Sequence, residues 1–291
     1  MRLVTFTDTA GSRIGVLSDD GIADVAAADP GLPANMAGIC GGGEAMLARL
    51  AGAAARAPRL ARGAVRLEAP LAPWRNIFCV GKNYHEHARE FHDSGFDASS
   101  ASAIPDLPII FTKSATTVSA DGDPIPASAD PTASVDYEGE LAVVIGKPGH
   151  AIAEADAYAH VFGYTIINDV TSRTLQHAHK QWFLGKNLDG FCPMGPCLVT
   201  ADEVPDPRRL RLTTTVNGET RQDASVADLI FDIAVLIRTI SALITLHPGD
   251  IIATGTPVGV GIGFKPPRFL APGDRVAVTI EPIGTLANPV A

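Results

Sequence analysis

Cysteine is scarce in this chain of 291 residues and follows no pattern: the four present (Cys40, Cys79, Cys192, Cys197) make no CxxC pair and no regular framework. That spacing argues against a zinc site or a disulfide scaffold and points to free thiols in a cytoplasmic protein. Excess positive charge is missing as well. Lysine and arginine total 23 against 32 aspartates and glutamates, a formal net charge of −9 spread along the chain. A nucleic-acid binder would show a basic stripe or tail instead. An anionic small molecule stays within reach, because a few local cations outweigh a net charge. No apolar run is long enough to span a bilayer. The opening "MRLVTFTDTAGSR" alternates apolar and polar residues where a signal peptide would place a basic segment before an apolar one,.

What the chain does have is the composition of a globular protein, 46% apolar and 19% charged,. Its length suits one large domain with a small companion. "RLVTFTD", "RIGVLSD" and "DDGIADV" read as three short strands, and "GGGEAMLARLAGAAARAPRLAR" as one or two helices cut by Pro58,. A proline-punctuated linker follows, so the boundary is placed near residue 70, giving residues 1–70 and 71–291. In the larger part, "NIFCVG", "PIIFTK", "ELAVVIG", "VFGYTIIND", "RLRLTTTVNG", "GDIIATGT" and "DRVAVTIEPIG" are β-like,. Helices are expected over His85–His92, Ile152–His160, Ser172–Gln181 and Val226–Leu246, the last opened by Ser225 with Asp228 three residues on. Strands outnumber helices without βαβ alternation, so the fold class is α+β and β-rich.

The stretch "VDYEGELAVVIGK" is the least ordinary. Leu141 to Ile145 are apolar on both faces of a strand, yet the run opens with Asp136, Glu138 and Glu140,. Alternate strand residues point the same way, with Cα atoms roughly 6.6 Å apart for a pair two residues apart. Carboxylates crowded at a core's edge need a proton, a cation or a metal ion. An all-oxygen set favours Mg²⁺, Mn²⁺ or Ca²⁺. Asp169, at the end of "YTIIND", could be a third ligand or a helix cap.

Other clusters read two ways. In "GKNYHEHAREF", Asn83 could cap a helix with Glu86 in a capping box. His87 and Glu90 then share a face, either as a solvated first turn or as an imidazole oriented by a carboxylate. In "TSRTLQHAHKQWFLGKNLDGFCPMGP", Arg173 and Gln176 are one helical turn apart and Lys186 lies in a turn-rich segment. They could be surface groups, or, with Lys82 and Lys113, cations that receive an anionic substrate. The glycine-rich "ATGTPVGVGIG" fits neither phosphate-binding pattern. It offers close backbone approach to a ligand near Thr254 and Thr256, or plain tight turns.

Taken in order, "GKNYHEHARE", "PIIFTK", "DYEGELAVVIGK", "GYTIINDVTSR", "QWFLGKNLDGFCPMGP", "GDIIATGTPVGVG" and "PGDRVAVTIEPIG" resemble the fumarylacetoacetate hydrolase family from about residue 70 to the C-terminus. The resemblance implies a mixed β-sandwich roll after a small N-terminal β/α unit, a homodimer, and one Mg²⁺ or Mn²⁺ per active site, with Ca²⁺ as a substitute. By match to the family's pattern, Glu138, Glu140 and Asp169 would be metal ligands and Asp136 a neighbour. His87 and Glu90 would activate water, Lys186 would be catalytic, and Arg173, Gln176, Lys113 and Thr256 would line the substrate site. Thr174, and Asn187 with Leu188, depart from the common pattern at positions that bear on substrate fit.

The expected reaction is hydrolysis of a carbon–carbon bond in a β-diketo acid of acylpyruvate or fumarylpyruvate type, with a metal-stabilised enolate and water activated by His87. The alternatives are decarboxylation or tautomerisation of oxaloacetate or a related unsaturated 2-oxo acid, and, outside catalysis, a binder of 2-oxo acids. The segment "HDSGFDASSASAIPD" after the His–Glu pair is a candidate lid.

Overall fold

The computed structural model describes residues 1–96 and 103–291. The candidate lid lies partly outside the described residues. The architecture is mixed α+β and dominated by strands, as the sequence pattern indicated. A sheet of 12 strands runs in the order Arg59–Leu60, Gly21–Asp24, Gly11–Ser18, Arg2–Asp8, Cys192–Thr200, Val161–Asn168, Gly139–Ile145, Ile251–Ala253, Ile77–Gly81, Ile109–Lys113, with Arg66–Leu67 and Val118–Ser119 attached to its side. The N-terminal strands belong to this same sheet, because Arg2 and Leu3 pair with Val199 and Leu198. A second, four-stranded sheet of Glu219–Ser225, Arg211–Val216, Arg275–Ile280 and Gly284–Pro289 packs against it.

The strand Gly139–Ile145 is buried at every position. Leu141, Val143 and Ile145 pack with Leu212, Val278 and Ile280 of the second sheet and with Leu236, Ile237 and Ile240 of the helix Ile233–Ser241. Ala142 and Val144 face the other way, into a core with Leu3, Ile39, Leu50 and Ile251. A strand held on both faces is a rigid mount for whatever its N-terminal end carries. Among the described residues, no helix is long and apolar enough to cross a membrane.

Three local expectations are corrected. The helix expected over Val226–Leu246 is broken: a single 3₁₀ turn at Val226–Asp228 uses the Ser225–Asp228 capping box, and a new helix starts at Ile233 with Asp232 as its cap. The break has a cause in Asn83, whose side chain takes both the N–H and the C=O of Phe231 (2.8 and 3.0 Å) and so removes Phe231 from any helical ladder. For the same reason Asn83 does not cap the helix His85–Asp93; Tyr84 stands at that position without a side-chain cap. The helix expected over Ser172–Gln181 ends at Ala178, and Lys180, with φ of 57°, turns the chain into a short helix at Phe183–Lys186. Ile152–His160 forms a 3₁₀ helix from Glu154 onward.

Candidate metal and proton-transfer site

The site is built where two antiparallel neighbours end together. Gly139 pairs with Asn168 at the last rung of their ladder, and beyond it Asn168 Oδ1 accepts from the Glu138 N–H at 2.9 Å. Asp169 N–H donates to Glu138 C=O at 2.8 Å. Glu138, Glu140 and Asp169 are thereby gathered, all buried, with one oxygen from each within 4.8 Å of the others. Asp136 does not share their face. Residues Val135–Asp136 form a separate two-stranded ladder with Thr171–Ser172, so the alternation is interrupted before Glu138.

Cations fill much of the space between these acids. Lys186 Nζ lies 2.7 Å from both Glu138 Oε2 and Asp169 Oδ2. Lys113 Nζ is 2.7 Å from Asp169 Oδ1 and also donates to the carbonyls of Val170 and Lys186. Arg173 donates from Nε to Asp136 at 2.9 Å and from Nη1 to Glu138 at 2.6 Å, while its buried Nη2 has no hydrogen-bond partner among the described residues. Four carboxylates thus meet three cations. The uncompensated one is Glu140, which accepts the Gly255 N–H at 2.8 Å and has no ion pair among the described residues. Burial pushes the Glu140 carboxyl well above its ordinary range, and Asp169 and Glu138 push it further. Burial also opposes ionisation of Glu138, but Lys186, Arg173 and His87 outweigh it and hold that carboxyl below the usual range.

This donor set fits a hard divalent cation. Three buried carboxylates supply only oxygen, and one of them, Glu140, has no ion-pair partner among the described residues,. Glu138, Glu140 and Asp169 would hold the ion.

Opposite the acids, His87 and Glu90 sit on the helix His85–Asp93, with His87 Nδ1 3.2 Å from Glu90 Oε2. Gly259 N–H donates to both Glu90 oxygens, at 3.0 and 3.2 Å. His85 is exposed, as expected of a first-turn residue. A cavity of about 20 Å³ separates the two groups, lined by Glu138, Glu140, His87, Lys82, Arg173, Gln176, Lys186 and Thr256, and by an apolar wall of Val80, Phe91, Phe111 and Trp182. That is room for one water or ion. Thr256 reaches the rim through its hydroxyl, which donates to Gly139 C=O and accepts from Gln222. Gln176 Oε1 accepts from Arg173 Nη1 at 3.2 Å. Lys113 and Asp169 stand behind the lining residues, not among them.

The family's sequence profile, fumarylacetoacetate hydrolase C-terminal, matches residues 76–291. The chain belongs to the fumarylacetoacetate hydrolase family. Over 227 residues it is 54% identical to oxaloacetate tautomerase YisK of Bacillus subtilis, covering 78% of this chain and 73% of that protein. A fumarylacetoacetate hydrolase from Exiguobacterium antarcticum has a similar structure, with a TM-score of 0.85 and 42% identity over 100% of this chain and 99% of that one. Maleylpyruvate hydrolase from Sphingobium sp. SYK-6, solved with manganese(II) and pyruvate, matches with a TM-score of 0.81 and 36% identity over the same shares.

Several site residues carried no signal that spacing could reveal. Trp182 forms the wall against Gly81, where any side chain would overlap the indole. Gln222, 34 positions before Thr256, fastens that hydroxyl and the carbonyl of Pro257. Tyr137 and Asp136 tie the strand end to the glycine-rich loop.

Proposed function

We propose that this family member is a divalent-metal-dependent enzyme that enolises a small 2-oxo dicarboxylic acid, and that its reaction is keto–enol tautomerisation of oxaloacetate. One observation carries the reading: Glu138 and Glu140, gathered with Asp169 behind them, face His87 across one small cavity, with Glu140 lacking an ion-pair partner among the described residues. Mg²⁺ or Mn²⁺ held by Glu138, Glu140 and Asp169 would supply Lewis acidity, which would make the C–H next to the carbonyl of a 2-oxo acid more acidic,. Glu90 holds His87 through Nδ1, which leaves Nε2 to carry the proton between C3 and the 2-oxo oxygen. The C–H bond broken is matched by the O–H bond formed, and the reverse holds for the enol. Arg173, fixed by Asp136 and Glu138, keeps Nη2 for a substrate carboxylate,. The apolar wall of Phe91, Phe111 and Trp182 keeps bulk water from the enol. With a divalent ion added, the four acids and three paired cations carry one net positive charge, which suits an anionic substrate.

The tautomerase of Bacillus subtilis, 54% identical, favours this reaction over the hydrolysis expected from sequence. Hydrolysis of an acylpyruvate is the second reading, favoured by the maleylpyruvate hydrolase neighbour and by the His87–Glu90 geometry, which can equally deprotonate a water. The four buried free thiols support a cytoplasmic setting,. A homodimer, implied by the family, is the assembly we propose, and sedimentation reads it directly.

The test is a panel of oxaloacetate, acylpyruvates and fumarylpyruvate with the Mn²⁺-loaded protein, followed by enol absorbance and product analysis. Enol loss from oxaloacetate without new acid products supports tautomerisation; release of pyruvate from an acylpyruvate supports hydrolysis. Saturable binding with no turnover anywhere contradicts both.

A further inference from the structure

The segment Val258–Gly263, "VGVGIG", alternates glycine with an apolar residue, and the structure gives each half of the alternation a separate task. Val260 and Ile262 pack with Phe91, the residue after Glu90 on its helix. The glycines face carboxylates. A Cβ on Gly263 would overlap the Glu90 carboxylate, and one on Gly261 would come within 2.6 Å of Asp136 Oδ1. Gly259, at φ of 104°, turns its N–H onto both oxygens of Glu90.

This strap is itself fastened from the carboxylate strand. Asp136 Oδ1 accepts from Gly261 N–H at 2.6 Å and Asp136 Oδ2 accepts from Ile262 N–H at 3.1 Å. Tyr137, fully buried, donates its hydroxyl to Gly259 C=O at 2.8 Å. A chain of contacts therefore runs from Tyr137 through the backbone of Gly259 to Glu90 and His87. Tyr137 neighbours Glu138 in sequence, so one short stretch would place the metal ligand and also aim the base on the other side of the cavity.

We propose that Tyr137 is a positioning residue for the His87–Glu90 pair, acting through Gly259. It touches neither substrate nor metal. Its hydroxyl fixes the orientation of Gly259, which in turn fixes the Glu90 carboxylate and the tilt of the imidazole. The inference rests on the reading of His87 as the proton-transfer group.

The experiment compares Tyr137→Phe, Glu90→Gln and the double variant in full-length, Mn²⁺-loaded protein acting on oxaloacetate, with His87→Ala as control. Loss of one hydrogen bond corresponds to about a 3- to 10-fold fall in kcat for Tyr137→Phe, with KM and Mn²⁺ affinity unchanged. In the Glu90→Gln background the same substitution adds less than about a twofold effect, since its route is already cut. An equal fall in both backgrounds, a parental kcat in Tyr137→Phe, or a matching loss of Mn²⁺ affinity overturns the inference. Parental turnover in His87→Ala overturns the reading of the pair itself. An inactive His87→Ala beside a parental Tyr137→Phe overturns only the role of Tyr137.

Discussion

Lys186 is bonded to Glu138 at 2.7 Å, whereas Glu140, two residues along the same chain, is reached by a single backbone N–H. The neighbours therefore sit in opposite surroundings, one ion-paired within the protein and one without an ion pair among the described residues. Lys186 and a divalent ion would share the oxygens of Glu138 and Asp169, so their effects on stability are linked. In Lys186→Met the metal-free protein melts lower than the parent, and the gain in melting temperature on adding Mn²⁺ is larger than in the parent. At about 100 times its Kd, the ion contributes about 2.7 kcal/mol to the parent. Differential scanning fluorimetry with and without Mn²⁺ measures both quantities; an unchanged metal-induced gain contradicts the shared site.

Arg173 is the largest fully buried cation and holds two carboxylates. Arg173→Leu leaves Asp136 and Glu138 charged and underpartnered. The expected cost is about 3–5 kcal/mol by urea denaturation, as for other broken buried pairs. Adding Asp136→Asn recovers part of it, because one stranded charge is removed. A cost under about 1 kcal/mol would place the guanidinium in the ordinary surface class.

His87→Ala lowers kcat by about 10²- to 10⁴-fold, the usual contribution of a positioned proton-transfer group. Mn²⁺ binding survives, since His87 is not among the gathered carboxylates. Calorimetric titration of the variant beside steady-state rates separates the two properties. Joint loss of binding and turnover would instead make His87 part of the metal site.

Asn83→Ala removes a side chain that spans Phe231 and Thr254 and leaves their backbone groups without those partners. A destabilisation of about 2–3 kcal/mol is expected from the stranded groups, read as a lower urea midpoint. Loss below about 0.5 kcal/mol would mean water replaces the amide.

Much of the candidate site's grouping was legible because its residues lie in short runs. Glu138 and Glu140 stand two apart at the head of a continuous apolar strand, and His87 and Glu90 are one helical turn apart. Asp169 was ambiguous alone, and only the pairing of Gly139 with Asn168 brings it to the other two acids. The strand Cys192–Thr200 is not among the β-like runs named from the sequence; it contains Pro193, Gly195 and Pro196, yet it lies between two neighbours in the large sheet,. Asn83 resembled a cap because local spacing cannot show Phe231, 148 positions away, drawing it elsewhere. The same limit applies to Gln222 and Trp182, whose partners are remote in sequence. The glycine-rich loop was visible as a loop, but its purpose depends on which carboxylates the fold presses against it.

The central proposal is that Glu138, Glu140 and Asp169 would hold a divalent ion and that the site enolises a 2-oxo acid. The most direct measurement is the rate of oxaloacetate keto–enol interconversion, by enol absorbance, in chelator-treated protein before and after adding Mg²⁺ or Mn²⁺, beside Glu140→Gln. That substitution keeps an acceptor for Gly255 N–H and breaks no ion pair among the described residues. The account predicts that stripped protein is inactive, that metal restores the parent, and that Glu140→Gln stays inactive at the same metal concentration. Metal-independent turnover, or full activity in Glu140→Gln, would contradict it.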